Sequence, residues 1–172
     1  MNYNIENDKF FIYKYEGKIR DLILKYKFDD KAYLSEFFAE CISNNYEAIN
    51  FIKKYDIIIP VPLHRKRFRE RGYNQTYLII KKVIINNKPV DNVEKQVLKK
   101  SKNLKPQSLK GVNERINDIK GAYFVDNKEK ILGKNVLLFD DVYTTGATAN
   151  ECKNVLLNAG ASQVGILTLA RD

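Results

Sequence analysis

Asn135-Val136-Leu137-Leu138-Phe139-Asp140-Asp141-Val142-Tyr143-Thr144-Thr145-Gly146-Ala147-Thr148 passes from an unbroken apolar run to two adjacent carboxylates, and then to a hydroxyl- and glycine-rich turn. The run 136–139 has the pattern of a parallel strand covered on both faces. In open α/β sheets ligands bind outside the carboxyl ends of such strands, so Asp140 and Asp141 stand where carboxylates can accept hydrogen bonds from a diol or hold a metal. In the residues that follow, Thr144, Thr145, Gly146, Ala147 and Thr148, side chains are small and one glycine tolerates positive φ, so consecutive N–H groups can converge on one anion. A helix predicted over 147–158 and punctuated by Gly160 points its positive end at the same place. Residues 164–169 read as the next strand of a βαβ unit. Taken singly, the Asp pair could be a solvated turn and the Thr residues an ordinary N-cap. Together, in one short connection behind a buried strand, they mark a site for a diol or metal beside a phosphate.

A second connection has matching chemistry. Residues 56–61 are β-branched and apolar, hence a buried strand, and Pro60-Val61-Pro62-Leu63-His64 follows as a turn that two prolines keep out of helical geometry. Behind it comes a basic loop with Arg65, Lys66, Arg67, Arg69 and Arg71, and guanidinium groups suit phosphate oxygens better than ammonium does. Most of a basic run is solvated surface, so two or three of these cations are expected to face a ligand. His64, the only histidine, is expected to make a phosphate or backbone contact rather than to abstract a proton.

The remaining pattern alternates helix and strand. Helices are predicted over 17–28, over 32–54 as one long or two short segments, and over 75–86. Residues 93–98 and 121–125 are strand candidates, and the polar stretch 99–107 reads as a mobile loop. The order is that of a mostly parallel α/β sheet with helices on both faces. The 172 residues suit one domain spanning 1–172, with a helical N-terminal segment over 1–54 packed on it. No stretch approaches the roughly 20 apolar residues that cross a bilayer, and the start lacks a signal-peptide pattern, so a cytoplasmic protein without membrane insertion is expected. Cys41 and Cys152 lie far apart and outside metal-ligand spacing, which indicates neither zinc nor a disulfide framework. The formal net charge of +9 favours a polyanionic partner.

Asp140-Asp141-Val142-Tyr143-Thr144-Thr145-Gly146-Ala147-Thr148 resembles the phosphoribosyl pyrophosphate (PRPP) signature of type I phosphoribosyltransferases. Pro60-Val61-Pro62-Leu63-His64-Arg65 with Arg71-Gly72-Tyr73-Asn74-Gln75 narrows the resemblance to the ComF/GntX branch, the competence-associated members. Lys25-Tyr26-Lys27, Gln107, Arg115, Asn117 and the closing Leu167-Thr168-Leu169-Ala170-Arg171 fit the same branch. The resemblance implies a type I phosphoribosyltransferase-like fold with a flexible hood. The acidic pair would hold the ribose hydroxyls, with Mg²⁺ bridging them to the pyrophosphate, and residues 144–148 would wrap the 5′-phosphate. Val61, Pro62, Leu63, His64, Arg65 and Arg67 would form the pyrophosphate loop, and Arg71, Asn74, Gln75, Gln107 and Arg115 would belong to the hood or its base. Many members of the branch carry a four-cysteine zinc ribbon ahead of this domain, whereas here the pattern is entered directly from Met1; the homologue lacks the ribbon or the sequence is shortened.

Purine-salvage members place a base-assisting Asp where Thr144 stands, which weakens a purine acceptor. Three readings stay open on the residues. The chain is a phosphoribosyltransferase with an unidentified acceptor and no assigned catalytic residue, a PRPP-binding protein without turnover, or a competence factor handling single-stranded DNA. The last implies partners in the DNA-uptake machinery.

Overall fold

The computed structural model describes residues 5–6, 8–29, 31–101 and 119–172. Its centre is a five-stranded sheet in the order β1-β2-β9-β8-β3, formed by β1 (Ile5–Glu6), β2 (Lys9–Lys14), β3 (Ile57–Pro60), β8 (Asn135–Tyr143) and β9 (Gln163–Arg171). The four strands from β2 to β3 run parallel and β1 is antiparallel at the edge.

Each face of the sheet carries its own core, as period-two alternation demands. On one face Phe10, Leu137, Phe139, Leu167 and Leu169 pack against α1 (Gly17–Phe28), α2 (Leu34–Ser43), α3 (Tyr46–Ile52) and α5 (Gln75–Ile80). On the other face Val136, Leu138, Val164 and Ile166 meet α6 (Ala147–Asn158) and the small hairpin β6 (Leu98–Lys100) and β7 (Tyr123–Val125). Gly165 is a glycine because the Tyr55 hydroxyl occupies the space of its Cβ.

Several boundaries differ from the sequence reading. The N-terminal segment is not wholly helical: Lys9–Lys14 is a sheet strand, because Phe10, Phe11 and Ile12 bury between β9 and the cores. The region 32–54 forms two short helices, the second capped by Asn45, whose Oδ1 accepts from Ala48 N at 3.0 Å. The run 65–71 is not a loop but helix α4 (Arg65–Arg71), stopped by Gly72 at φ 76°. Helix α5 ends at Ile80 instead of 86, since Asn86 and Asn87 adopt φ 53° and 62° and turn the chain between β4 (Ile84–Ile85) and β5 (Lys88–Pro89). Strand β6 begins at Leu98, and Val93 contributes only a single parallel bridge to Ile58.

The difference that matters most is in β8. It continues past the apolar run to Tyr143, paired throughout with β9, whereas β3 on its other side stops at Pro60 opposite Phe139. Val61 N donates to Phe139 O at 2.8 Å as the last link across. Beyond it, among the described residues, the acidic pair stands on a strand with one open edge. No helix among the described residues is long and apolar enough to cross a membrane.

Candidate functional site

The open edge of β8 is the floor of the site. With β3 gone, Asp141 N–H donates instead to Asp140 Oδ1 at 2.9 Å, so the first carboxylate closes the backbone gap left by the missing strand. The two side chains leave the strand on opposite sides. Asp141 lies on the α1 side, where Lys27 Nζ binds its Oδ1 at 2.8 Å. Asp140 lies on the α6 side, in the electrostatic neighbourhood of Lys100, Tyr123 and Cys152.

This environment shifts the titration of both sides. Burial, then the charge of Asp141, raises the Asp140 pKa from 3.8 to about 7, against the pull of Lys27, the Asp141 amide and Lys100. Burial acts against the Lys27 ammonium, but the charge and hydrogen bond of Asp141, with Asp140 and Tyr15, outweigh it and its pKa ends above the ordinary value. Lys100 is lowered, first by burial and then by Arg67. Burial, then Asp140, pushes the Cys152 thiol well up. Perturbed carboxylate and ammonium groups gathered at a strand end mark a candidate functional site.

The turn after β8 presents donors. Among the described residues the N–H groups of Thr144, Thr145, Gly146 and Thr148 meet no protein acceptor, and Ala147 N reaches only Thr145 Oγ1 at 3.3 Å. Gly146 makes the bend at φ 75°, and a Cβ there would overlap the Tyr143 hydroxyl, which roofs the turn from below. Helix α6 starts immediately after it, so its dipole reinforces the same cradle.

The turn after β3 is a neighbouring cradle. Leu63 and His64 N–H groups likewise meet no acceptor among the described residues. Its shape is held from outside: Asn74 Nδ2 and Thr76 Oγ1 both donate to Val61 O, at 3.1 and 3.0 Å, while Asn74 Oδ1 caps α5. Asn74 is therefore a brace of this turn. Gln75 is buried with no partner for its Nε2 among the described residues, and its carbonyl accepts from Tyr26 Oη at 2.9 Å. His64 caps α4, its Nδ1 accepting from Lys66 N at 3.2 Å.

Helix α4 sorts the basic run. Arg67 and Arg71, one turn apart, are the partly buried cations; burial and Arg67 lower the Arg71 pKa, Asp141 opposes them, and Arg71 stacks on Phe28 at 5.3 Å. Arg65, Lys66 and Arg69 are exposed. Gln107, Arg115, Asn117 and the part of the hood loop beyond Ser101 lie outside the described residues; Lys99 and Lys100 belong to β6 rather than to a loop. Sequence reasoning missed Lys27 and Lys100 as neighbours of the acidic pair. The first stood in a quoted motif, Lys25-Tyr26-Lys27, but nothing in the sequence says that α1 ends against β8.

A parallel sheet with an acidic pair and two donor-rich turns at the carboxyl ends of adjacent strands defines a type I phosphoribosyltransferase-like α/β protein. The chain belongs to the phosphoribosyl transferase domain family, whose description matches residues 71–172. Its similarity within that family is to ComF proteins. It is 32% identical over 160 residues to competence protein ComFC of Streptococcus pneumoniae, covering 93% of this chain and 66% of that protein. Against competence protein ComFC of Bacillus subtilis the identity is 29% over 162 residues, 94% of this chain and 63% of the relative. DNA utilization protein YhgH of Escherichia coli K12 is 27% identical over 116 residues, 67% of this chain and 49% of the relative. The chain thus spans just under two thirds of the length of the ComFC relatives.

Proposed function

We propose that the site binds PRPP with Mg²⁺ and transfers its phosphoribosyl group, in the cytoplasm, to an acceptor still to be identified. The observation that carries this is the pair of donor-rich turns on adjacent strands, with two carboxylates between them. In this reading the turn 144–148 takes the 5′-phosphate, the turn 61–64 takes the pyrophosphate, and Asp140 and Asp141 take the ribose hydroxyls. The donor set suits Mg²⁺ held jointly by protein and ligand. Among the described residues no group of three or more His, Cys, Asp or Glu could cage an ion, and two carboxylates plus phosphate oxygens are what Mg²⁺ accepts. Bound there by Asp140 and Asp141 with the ligand, Mg²⁺ would neutralise the leaving pyrophosphate.

The chain's own contribution is orientation and charge. As the bond from ribose C1 to the pyrophosphate oxygen breaks, its electron pair leaves with pyrophosphate, and the acceptor bonds to C1 and loses a proton. In this reading the backbone donors at Leu63 and His64 and the partly buried Arg67 and Arg71 of α4 would stabilise the charge that grows on the leaving group. Calorimetric titration of the intact protein with PRPP should give saturable binding that requires Mg²⁺ and is competed by pyrophosphate, and the Asp140→Asn/Asp141→Asn double variant should lose it. Absence of PRPP binding by the wild-type chain, or full affinity in the double variant, overturns the reading. Pyrophosphate release with an acceptor separates a transferase from a protein that binds PRPP without turnover.

A second activity is favoured by the outer face of α4. Arg65, Lys66 and Arg69 are exposed there, and Phe68 between them is 49% exposed, an arrangement of cations around a stacking ring that suits single-stranded DNA. This fits relatives named for competence and DNA utilization, and implies partners in the uptake machinery. Binding of single-stranded DNA that weakens with salt, and falls about tenfold on Phe68→Ala, is the expected result; a gel shift insensitive to both excludes this face.

A further inference from the structure

The hairpin of β6 and β7 lies outside the central sheet and is attached to α6, close behind the turn 144–148. Ala122 and Tyr123 belong to one apolar cluster with Ala149, Cys152 and Leu156 of that helix. Two polar bonds fix the contact at the start of α6. Gly121 N donates to Glu151 Oε1 at 2.6 Å, and the Tyr123 hydroxyl is hydrogen-bonded to the Thr148 side chain. The ring that carries this hydroxyl is itself held. Tyr123 is 5% exposed, pairs with Lys100 across the hairpin, and has the Lys100 ammonium 5.0 Å from its ring centre.

A cradle of amides needs such a support. The N–H groups of a first helical turn have no intrahelical partners, and helix ends fray. Donors bind an anion tightly only if they are held in place before it arrives. The turn at Val61 is braced from outside by Asn74 and Thr76, and Tyr123 stands in the corresponding place behind the turn 144–148. Burial, then Cys152 and Asp140, raise the Tyr123 pKa, so the hydroxyl keeps its proton. Resting on the PRPP reading above, we infer that Tyr123 is a positioning residue of the 5′-phosphate cradle. It acts through Thr148, from beneath the surface, and its hydroxyl is tied to the half of the pocket that takes the phosphate rather than to the turn that takes the pyrophosphate.

The test measures PRPP affinity by calorimetry at fixed Mg²⁺, and pyrophosphate affinity by competition, on wild type and Tyr123→Phe. The variant keeps the ring and loses one hydrogen bond, so PRPP should bind about fivefold more weakly while pyrophosphate keeps its affinity to within about twofold. A double-mutant cycle adds a second readout. In Thr148→Val, where the partner hydroxyl is already gone, Tyr123→Phe should weaken PRPP by less than about twofold more. A merely structural role would weaken both ligands by one factor. That result, an unchanged PRPP affinity in Tyr123→Phe, or full additivity with Thr148→Val overturns this inference alone, provided wild type binds PRPP. Failure of the wild-type chain to bind PRPP, or of pyrophosphate to compete with it, overturns the inference together with the reading beneath it.

Discussion

Asp140→Asn is expected to make the free protein more stable at about pH 8 and to cost it about a hundredfold in affinity for PRPP. The two effects have one cause. In the folded chain burial and the neighbouring Asp141 charge hold the Asp140 pKa near 7, against 3.8 for an unperturbed carboxylate. Between those values the native state binds the proton and the unfolded state does not, so stability falls as pH rises from about 4 to about 7 and stays lower above that. Asparagine removes the penalty. The thermal midpoints of variant and wild type should therefore converge near pH 4 and separate by about 5 °C in favour of the variant near pH 8. Asparagine also keeps an oxygen for the Asp141 amide, so the strand end survives. It loses the charge that a diol and a divalent ion require. Equal midpoints for the two proteins across this range would show that Asp140 carries no such strain, and undiminished PRPP affinity would remove it from the ligand site.

Gly146→Val is expected to abolish measurable PRPP binding, a loss of about a hundredfold or more, with a smaller loss of stability. Gly146 sits at φ 75°, where a side chain costs about 1–2 kcal/mol. A Cβ would in addition overlap the Tyr143 hydroxyl and ring edge. Tyr143 cannot simply leave, since its ring packs on Phe11 at 5.2 Å with Lys9 over it at 5.4 Å. The turn must therefore open, which turns the converging N–H groups away from one another. Gly146→Ala combined with Tyr143→Ala divides the two causes, because it keeps the backbone strain and removes both the hydroxyl and the ring carbons that a Cβ would meet. Wild-type affinity in Gly146→Val would mean that this turn is not the phosphate cradle.

The cradle was legible because its chemistry is local. A buried strand, two carboxylates, a glycine bend and a helix start all fall within one stretch, and the physics that makes them a site acts between near neighbours in sequence. The turn at Pro60 was legible for the same reason. The basic run was misread as a loop because its many charges mask a short helix whose inward residues, Arg67 and Arg71, are themselves cations. Strand β2 was missed because Phe10, Phe11 and Ile12 form too short a run to distinguish strand from helix, and their burial depends on β9, whose residues lie far along the chain. Lys27 and Lys100 were illegible as site residues for a related reason. Each reaches the acidic pair through tertiary packing, one from α1 and one from β6, and no spacing rule links them to Asp140 or Asp141.

The early end of β3 beside a longer β8 has a geometric consequence. The two donor-rich turns arise from neighbouring strands, so their roots are separated by one backbone hydrogen bond, about 4.8 Å, and by the stagger between Pro60 and the end of β8 at Tyr143. Neither quantity depends on a side chain. On the PRPP reading the pocket carries a length gauge written into sheet register, which would set the span between the two anionic groups of the ligand across it. Point substitutions can change how tightly that span is held and what else may enter. Resetting the gauge itself would take a change in the register of β3 against β8, or in how far β8 outruns β3.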